Sequence, residues 1–205
     1  MPSNEISMWD QRYSGENYLF GQAPNEFLAA QAPRLRNGMS ALALADGEGR
    51  NGVWLAEQGL SVLSIDSSAV AQEKARRLAL ARRAHIQLEL VDLSSWSFPM
   101  SRFDVVAAIF IQFAGPPLRT VIFEGIKRAL KPDGLLFLEG YRPKQLEYRT
   151  GGPPFVENLY TERMLREAFP DLEILELREY DSIIEEGTGH KGMSALIDLI
   201  ARKPS

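Results

Sequence analysis

Five short apolar runs alternate with helical stretches through the middle of this chain, and that alternation leaves it few architectures. The runs are Ser40 to Ala45, Ser61 to Ile65, Ile86 to Val91, Phe103 to Ile109 and Leu135 to Glu139. Val53 to Gln58, Ser68 to Arg83 and Leu118 to Leu130 read as helices between them. Gly59 ends the first of these helices, and Lys131-Pro132-Asp133-Gly134 is a turn signal after the third. Strands and helices alternating at this length predict a parallel sheet covered on both faces. Farther on, Thr161 to Phe169 reads as a helix. Leu172 to Ile184 and Met193 to Arg202 read as strands joined by a short glycine-containing loop. A loop that short permits a hairpin but no parallel crossover, so the last strand runs against the rest. The expected fold is α/β: a seven-stranded, mostly parallel sheet with a reversed final strand and helices on both faces. Ahead of it lie an aromatic-dotted lead, Met8 to Phe20, and a helix over Pro24 to Leu35.

Composition narrows the function. A length of 205 residues suits one domain, with 45% hydrophobic residues to build its core. We expect an N-terminal helical lid over 1–36, a cofactor-binding core over 37–140, and a substrate-side insertion with the C-terminal hairpin over 141–205. The net charge of -4 gives no electrostatic case for nucleic acid or an anionic membrane. The cluster of Arg76, Arg77, Arg82 and Arg83 fits the solvated face of a helix. Cysteine is absent, which excludes disulfides and thiolate chemistry and is compatible with the cytoplasm. The first residues form no secretory signal, and the longest apolar runs are too short to span a bilayer. No metal-ligand cluster is visible. The expected state is a monomer or weak homodimer.

Gly47-Glu48-Gly49-Arg50-Asn51-Gly52 lies between the first strand and its helix. Glycines there let the chain turn tightly and a ligand approach the backbone. Exposed amides at the helix start favour a negatively charged group. Asp66 ends the second strand, 20 residues after Asp46, where a carboxylate can accept bonds from both hydroxyls of a ribose. Asp92 ends the third strand on the same edge, in reach of an adenine amino group. Parallel strands bring all these ends together.

On Leu42 to Asn51, Leu63 to Ser68, Val91-Asp92-Leu93, Phe103 to Val106 and Leu130 to Gly134, the chain resembles the class I S-adenosylmethionine-dependent methyltransferases, over nearly its whole length. Within that class it is most similar to the small tellurite-resistance and thiopurine methyltransferase-like group. That likeness is carried by Trp9 to Tyr13 with Phe20, Gly21 and Pro24, by Gly49-Arg50-Asn51, and by Glu186 with His190. The resemblance implies a Rossmann-like fold, S-adenosylmethionine as cofactor, and methyl transfer to a small-molecule acceptor such as a thiol or a chalcogen oxyanion. It implies that Asp66 with Ser67 holds the ribose and Asp92 with Leu93 the adenine. Ile109 and Phe110 would lie beside the sulfonium, with Gln112 just beyond. Trp9, Arg12, Phe20 and Gly21 would close over the cofactor, Arg12 on its carboxylate. Two positions depart from the pattern. Ala43 stands where an acid often ends the first strand, and Ala45 where the first glycine usually lies, so Asp46 or the backbone near Ala45 would take the methionine amino group.

Methyl transfer from a sulfonium asks the protein mainly to align the acceptor and exclude water. Where a proton must leave, His190 is the candidate base, beside Glu186 and with Tyr141 as a further catalytic candidate. Tyr18, Tyr148 and Glu186 are candidates for the acceptor pocket, and Arg149 to Pro154 for a mobile flap. His85 reads as an exposed loop residue, and Trp54 and Trp96 as core. Two rival readings share the glycine loop: a nicotinamide-dependent oxidoreductase, for which neither a Tyr-x-x-x-Lys pair nor a second domain is found, and a non-catalytic cofactor-binding module.

Overall fold

The computed structural model describes residues 4–205, with side chains from Met8 onward; residues 1–3 of the expected lid lie outside it. Seven strands form one sheet: β1 (Ser40–Leu44), β2 (Ser61–Asp66), β3 (Ile86–Leu90), β4 (Phe103–Ile109), β5 (Leu130–Tyr141), β6 (Glu173–Glu186) and β7 (His190–Arg202). Their order is β3-β2-β1-β4-β5-β7-β6. Pairs among the first five are parallel, and β7 is antiparallel to both β5 and β6. This is the expected Rossmann-like sheet with a reversed final strand.

Alternate residues of each strand feed the two faces. Leu42, Leu44, Val106, Ala108, Leu136 and Leu138 pack with Ile122, Phe123 and Ile126 of helix α5 (Pro116–Ala129). On the other face Ala41, Ala43, Val105, Ala107 and Phe137 pack with Trp54 and Leu55 of helix α3 (Arg50–Glu57). The small residues at 41, 43 and 107 let α3 lie close to the sheet. The remaining helices are α1 (Asn4–Tyr13), α2 (Glu26–Ala29), α4 (Ala69–Arg82), α6 (Gln145–Tyr148) and α7 (Glu162–Ala168). Among the described residues no helix is long and apolar enough to cross a membrane.

Four sequence expectations need correction. The helix expected from Val53 begins at Arg50, because Gly49 at φ 88 serves as its left-handed cap and puts Arg50, Asn51 and Gly52 in the first turn. The helix expected over Pro24 to Leu35 is broken into α2 and a 3-10 turn at Ala32–Arg34, since Pro33 lacks the amide a continuous helix needs. Lys131 to Gly134 lies within β5 as an irregularity, where the register against β4 shifts and Asp133 takes φ 62. Both hairpin strands reach the turn, so Glu186 and His190 are cross-strand partners flanking three residues.

Candidate active site

The carboxyl ends of β1, β2 and β4 open into a cleft of about 260 Å³, beneath α1 and the hairpin tip. Of the expected cofactor residues, Trp9, Phe20, Gly21, Ala45, Asp46, Gly47, Asn51, Asp66, Ser67, Asp92, Leu93, Ile109 and Phe110 line it, as does His190.

The glycine loop is organised by acids. Asp66 accepts the Gly47 amide on one carboxylate oxygen and the Ser68 amide on the other, both at 2.8 Å. Burial raises its pKa despite these bonds. Asp46 accepts the Gly52 amide at 3.1 Å and the Ser64 hydroxyl at 2.8 Å. Gly52 has no room for a Cβ, which would lie 2.4 Å from the Asp46 carboxylate and 3.4 Å from the Ala43 methyl. The Asp46 carboxylate and the Ala43 methyl thus both crowd Gly52. Although the residue is only half-buried, its carboxyl is turned inward, and burial pushes it up to about 7 against the Ser64 and Gly52 bonds. These contacts correct one expectation: the Gly47 and Gly52 amides are occupied by the protein's own carboxylates rather than exposed to an anion.

Ala45 (φ 49) and Phe110 (φ 53) end adjacent strands in the left-handed region, which disfavours residues with a Cβ. Both face the cleft, at the point where strand order reverses on either side of β1 and β4. The Phe110 amide is held by the Glu139 carbonyl at 2.8 Å. Asp92 is exposed and accepts both the amide and the hydroxyl of Ser94, which lower its pKa.

The N-terminal segment before α2 is tied to the glycine loop through Glu48, which the sequence reading missed. This buried carboxylate accepts the Leu19 amide at 2.7 Å and pairs with the buried Lys74 ammonium at 2.7 Å. Lys74 also donates to the Asn17 carbonyl. From the other side, the Thr188 and Gly189 amides donate to the Leu19 carbonyl at 2.9 Å. Tyr13 stacks on Trp9 at 5.5 Å, and its hydroxyl lies 2.8 Å from where a Cβ on Gly47 would stand. Burial, then the charges of Asp66 and Glu48, raise the Tyr13 phenol well above its usual pKa.

His190 sits between the rings of Phe20 and Phe110, with centroids 4.4 Å from each. Its Nδ1 is 3.3 Å from a Glu186 carboxylate oxygen that also pairs with Arg50 at 2.7 Å. Burial lowers the His190 pKa, outweighing the opposing pull of Glu186. Burial acts to raise Glu186 as well, but the His190 bond and the Arg50 charge bring it to about 2.

Several expected site residues stand elsewhere. Gly49 packs on α4, where a Cβ would lie 2.6 Å from that of Ala75. Gln112 is a buried clamp, donating to the Tyr141 and Asn158 carbonyls and accepting the Tyr141 amide. Arg12 is exposed outside the cleft, 4.5 Å over the Trp9 ring. Tyr18 donates to the Lys74 carbonyl on the outer side of α4, and Tyr148 to Asp181 on the edge strand, so neither lines the cleft. Tyr141 backs Phe110 and His190, its phenol raised far by burial and then by Glu186, which removes it as a proton acceptor. Glu186 stands behind His190 rather than in the wall. The Arg149 to Pro154 tract is tied down, since Gln145 donates to the Thr150 hydroxyl and the Gly151 carbonyl and Gly152 lies on the Tyr141 ring. Tyr13, Glu48, Arg50, Ser94, Phe113 and Leu118 line the cleft without having been expected there. The four-residue spacing of Trp9 and Tyr13 was the available signal for Tyr13. Among the described residues, no group of three or more His, Cys, Asp or Glu is placed to hold a metal.

The segment that carries the glycine loop and Asp66 is also the part of the chain that matches a known family. Residues 41–134 match the methyltransferase domain family. The matched segment runs from β1 into β5 and holds most of the residues that line the cleft. S-adenosylmethionine is the cofactor the match implies. No curated protein sequence matches. Solved structures share the fold, three of them as follows. One, from work on conversion of a disulfide bond into a thioacetal group during echinomycin biosynthesis, is 19% identical, with TM-score 0.78 and coverage of 98% of this chain and 94% of that one. A SAM-dependent methyltransferase from Methanosarcina mazei is 21% identical, with TM-score 0.68 and coverage of 89% and 99%. TehB from Haemophilus influenzae is 18% identical, with TM-score 0.72 and coverage of 97% and 67%.

Proposed function

We propose that this chain transfers a methyl group from S-adenosylmethionine to a small, uncharged, largely apolar acceptor, with His190 taking the acceptor's proton. The observation that carries this reading is the placement of His190 in an aromatic frame at the same cleft that Asp66 and the glycine loop line.

The cleft suits a cationic nucleoside. Asp46, Glu48, Asp66 and Asp92 belong to its lining, with the Asp46 carboxyl turned inward and Glu48 paired with Lys74, and among the described lining residues the one cation, Arg50, is held by Glu186. Asp66 with Ser67 would hold the ribose, Asp92 and Leu93 the adenine, and the backbone near Ala45 the amino group of the methionine part. The same acids argue against a nicotinamide cofactor, whose pyrophosphate would meet Asp46 at the helix start where it needs free amides. When bound, S-adenosylmethionine supplies an electrophilic methyl group on a positively charged sulfur.

His190 does the proton chemistry. With Nδ1 donating to the Glu186 carboxylate, Nε2 keeps its lone pair, and burial keeps the imidazole neutral near pH 7. Nε2 takes the proton from the acceptor's O–H, S–H or N–H as the new bond to carbon forms, and Glu186 stabilises the imidazolium until that proton passes to water. Phe20, Phe110, Phe113 and Leu118 give the acceptor an apolar wall. An oxyanion would find no free cation among these lining residues, so the chalcogen oxyanion branch of the family likeness is disfavoured here.

The test is a panel of acceptors with methyl-labelled S-adenosylmethionine, followed by formation of S-adenosylhomocysteine. Neutral thiols and phenols are expected to turn over and tellurite and selenite are not. Transfer to the oxyanions alone, or to nothing, contradicts the proposal.

A further inference from the structure

A buried cluster of carboxyl groups lies behind His190, and one uncharged side chain connects its two halves. We infer that Asn25 is a positioning residue, whose amide fixes Glu186 in the orientation that presents one carboxylate oxygen to Nδ1 of His190. The inference rests on the reading of His190 as the proton acceptor.

Asn25 is 2% exposed and every polar group of it is engaged. Its Nδ2 donates to Glu186 Oε1 at 2.9 Å and, with its second hydrogen, to Glu139 Oε2. Its Oδ1 accepts the Leu28 amide at 2.9 Å, capping α2, and its backbone amide donates to Asn51 Oδ1 at 2.9 Å. Flipping the side-chain amide would set Oδ1 against two carboxyl oxygens and leave the cap unmade, so its orientation is determined. With Oε1 of Glu186 taken by Asn25, Oε2 is left for Arg50 and His190. A carboxylate can only accept, so the hydrogen of the neutral imidazole resides on Nδ1 and Nε2 is bare.

The charges of the cluster balance only if it holds a proton. Glu139, Asp198 and Arg178 are register partners across β5, β7 and β6. Asp198 pairs with Arg178 at 2.8 Å, and Glu186 with Arg50. Glu139 has no cation, and the Tyr180 hydroxyl lies 3.3 Å from it and 3.4 Å from Asp198. Burial, then the charges of Asp198 and Glu186, raise Glu139 well above the usual carboxyl range, so it is the protonated member. Asn25 therefore bridges a neutral acid and an ionised one. It also joins the start of α2, the first turn of α3 and the hairpin. Glu186 and the rings of Phe20, Phe110 and Tyr141 surround His190, and the charges of Arg50 and, from outside the cleft, Arg12 act on it.

The chain contains two histidines, and His85 is exposed, which gives the experiment an internal reference. Long-range proton–nitrogen spectra of the ¹⁵N-labelled full chain read the tautomer and titration of each. Asn25→Ser keeps a capping oxygen for Leu28 but removes both amide donors. Asn25→Asp keeps the cap and adds a fourth carboxyl. In the wild type, His190 is expected as the Nδ1–H tautomer at pH 7.5. In Asn25→Ser it becomes a mixture while His85 is unchanged, and kcat falls ten- to hundredfold with the acceptor KM within threefold. In Asn25→Asp the His190 titration moves upward. An unchanged His190 tautomer and unchanged titration in both folded variants, or an Nε2–H tautomer in the wild type, overturns the inference. If the tautomer changes as stated while no acceptor is ever methylated, the inference stands and the functional reading fails.

Discussion

The Asp66 carboxylate accepts the Gly47 amide at 2.8 Å, which joins the end of β2 to the loop after β1. The acid thus serves twice, shaping the loop and lining the cleft. Asp66→Ala is predicted to weaken S-adenosylhomocysteine binding about a hundredfold, the equivalent of ~2.7 kcal/mol, as expected for lost hydrogen bonds to a charged group. Isothermal calorimetry reads this directly, and a loss below about fivefold would contradict the role.

His190→Gln tests the base. Turnover of a neutral thiol or phenol is predicted to fall about 10²- to 10³-fold at pH 7, the usual contribution of general-base catalysis. The deficit shrinks as pH rises through the acceptor's own pKa, because the solvent then removes the proton. Initial rates from pH 6 to 9 measure it, and a deficit independent of pH speaks against proton transfer.

Asp46 links stability to pH. The folded protein holds its proton up to about 7, whereas the unfolded chain releases it near the ordinary carboxylate value of 3.8. Between those values the native state binds the extra proton, so this group's stabilisation is present in mild acid and is lost as pH rises through about 7. Asp46→Asn removes the dependence. The stability of the wild type relative to the variant should fall by about 1.4 kcal/mol between pH 6 and 8, one pKa unit's worth. Denaturant melts of both proteins check it, and a constant difference would refute the protonation.

The buried Glu48–Lys74 pair is predicted to behave as a unit. Lys74→Met leaves Glu48 without its cation and should cost about 3–5 kcal/mol of stability, while adding Glu48→Gln recovers much of the loss. A double-mutant cycle by denaturant unfolding gives the coupling. Additive losses would mean that the pair does not hold the lid.

The sheet and the edge that carries the cleft were legible because apolar runs such as Ser61 to Ile65 and Ile86 to Val91 have strand length and are followed at once by an acid, Asp66 and Asp92. The start of α3 was not, since Arg50 and Asn51 after a glycine look like loop, and only the positive φ of Gly49 makes them helical. Glu48 and Lys74 were hidden for another reason: a charged residue in a loop, and a lysine among the arginines of α4, both read as solvated. Their burial depends on segments 26 residues apart meeting in space. Asp198 carried a usable signal, a lone acid inside the apolar run Ala195 to Ala201, which marks a buried carboxyl needing partners. Asn25 was read only as a helix start. Its link to Glu186, 161 positions away, exists only in the folded chain.

Titration of the wild-type chain with S-adenosylhomocysteine and, separately, with NAD is the most direct measurement of whether acids at the strand ends define a sulfonium-nucleoside site. The account predicts one-to-one, micromolar binding of S-adenosylhomocysteine and no heat with NAD. Saturable binding of NAD with none of S-adenosylhomocysteine would contradict it.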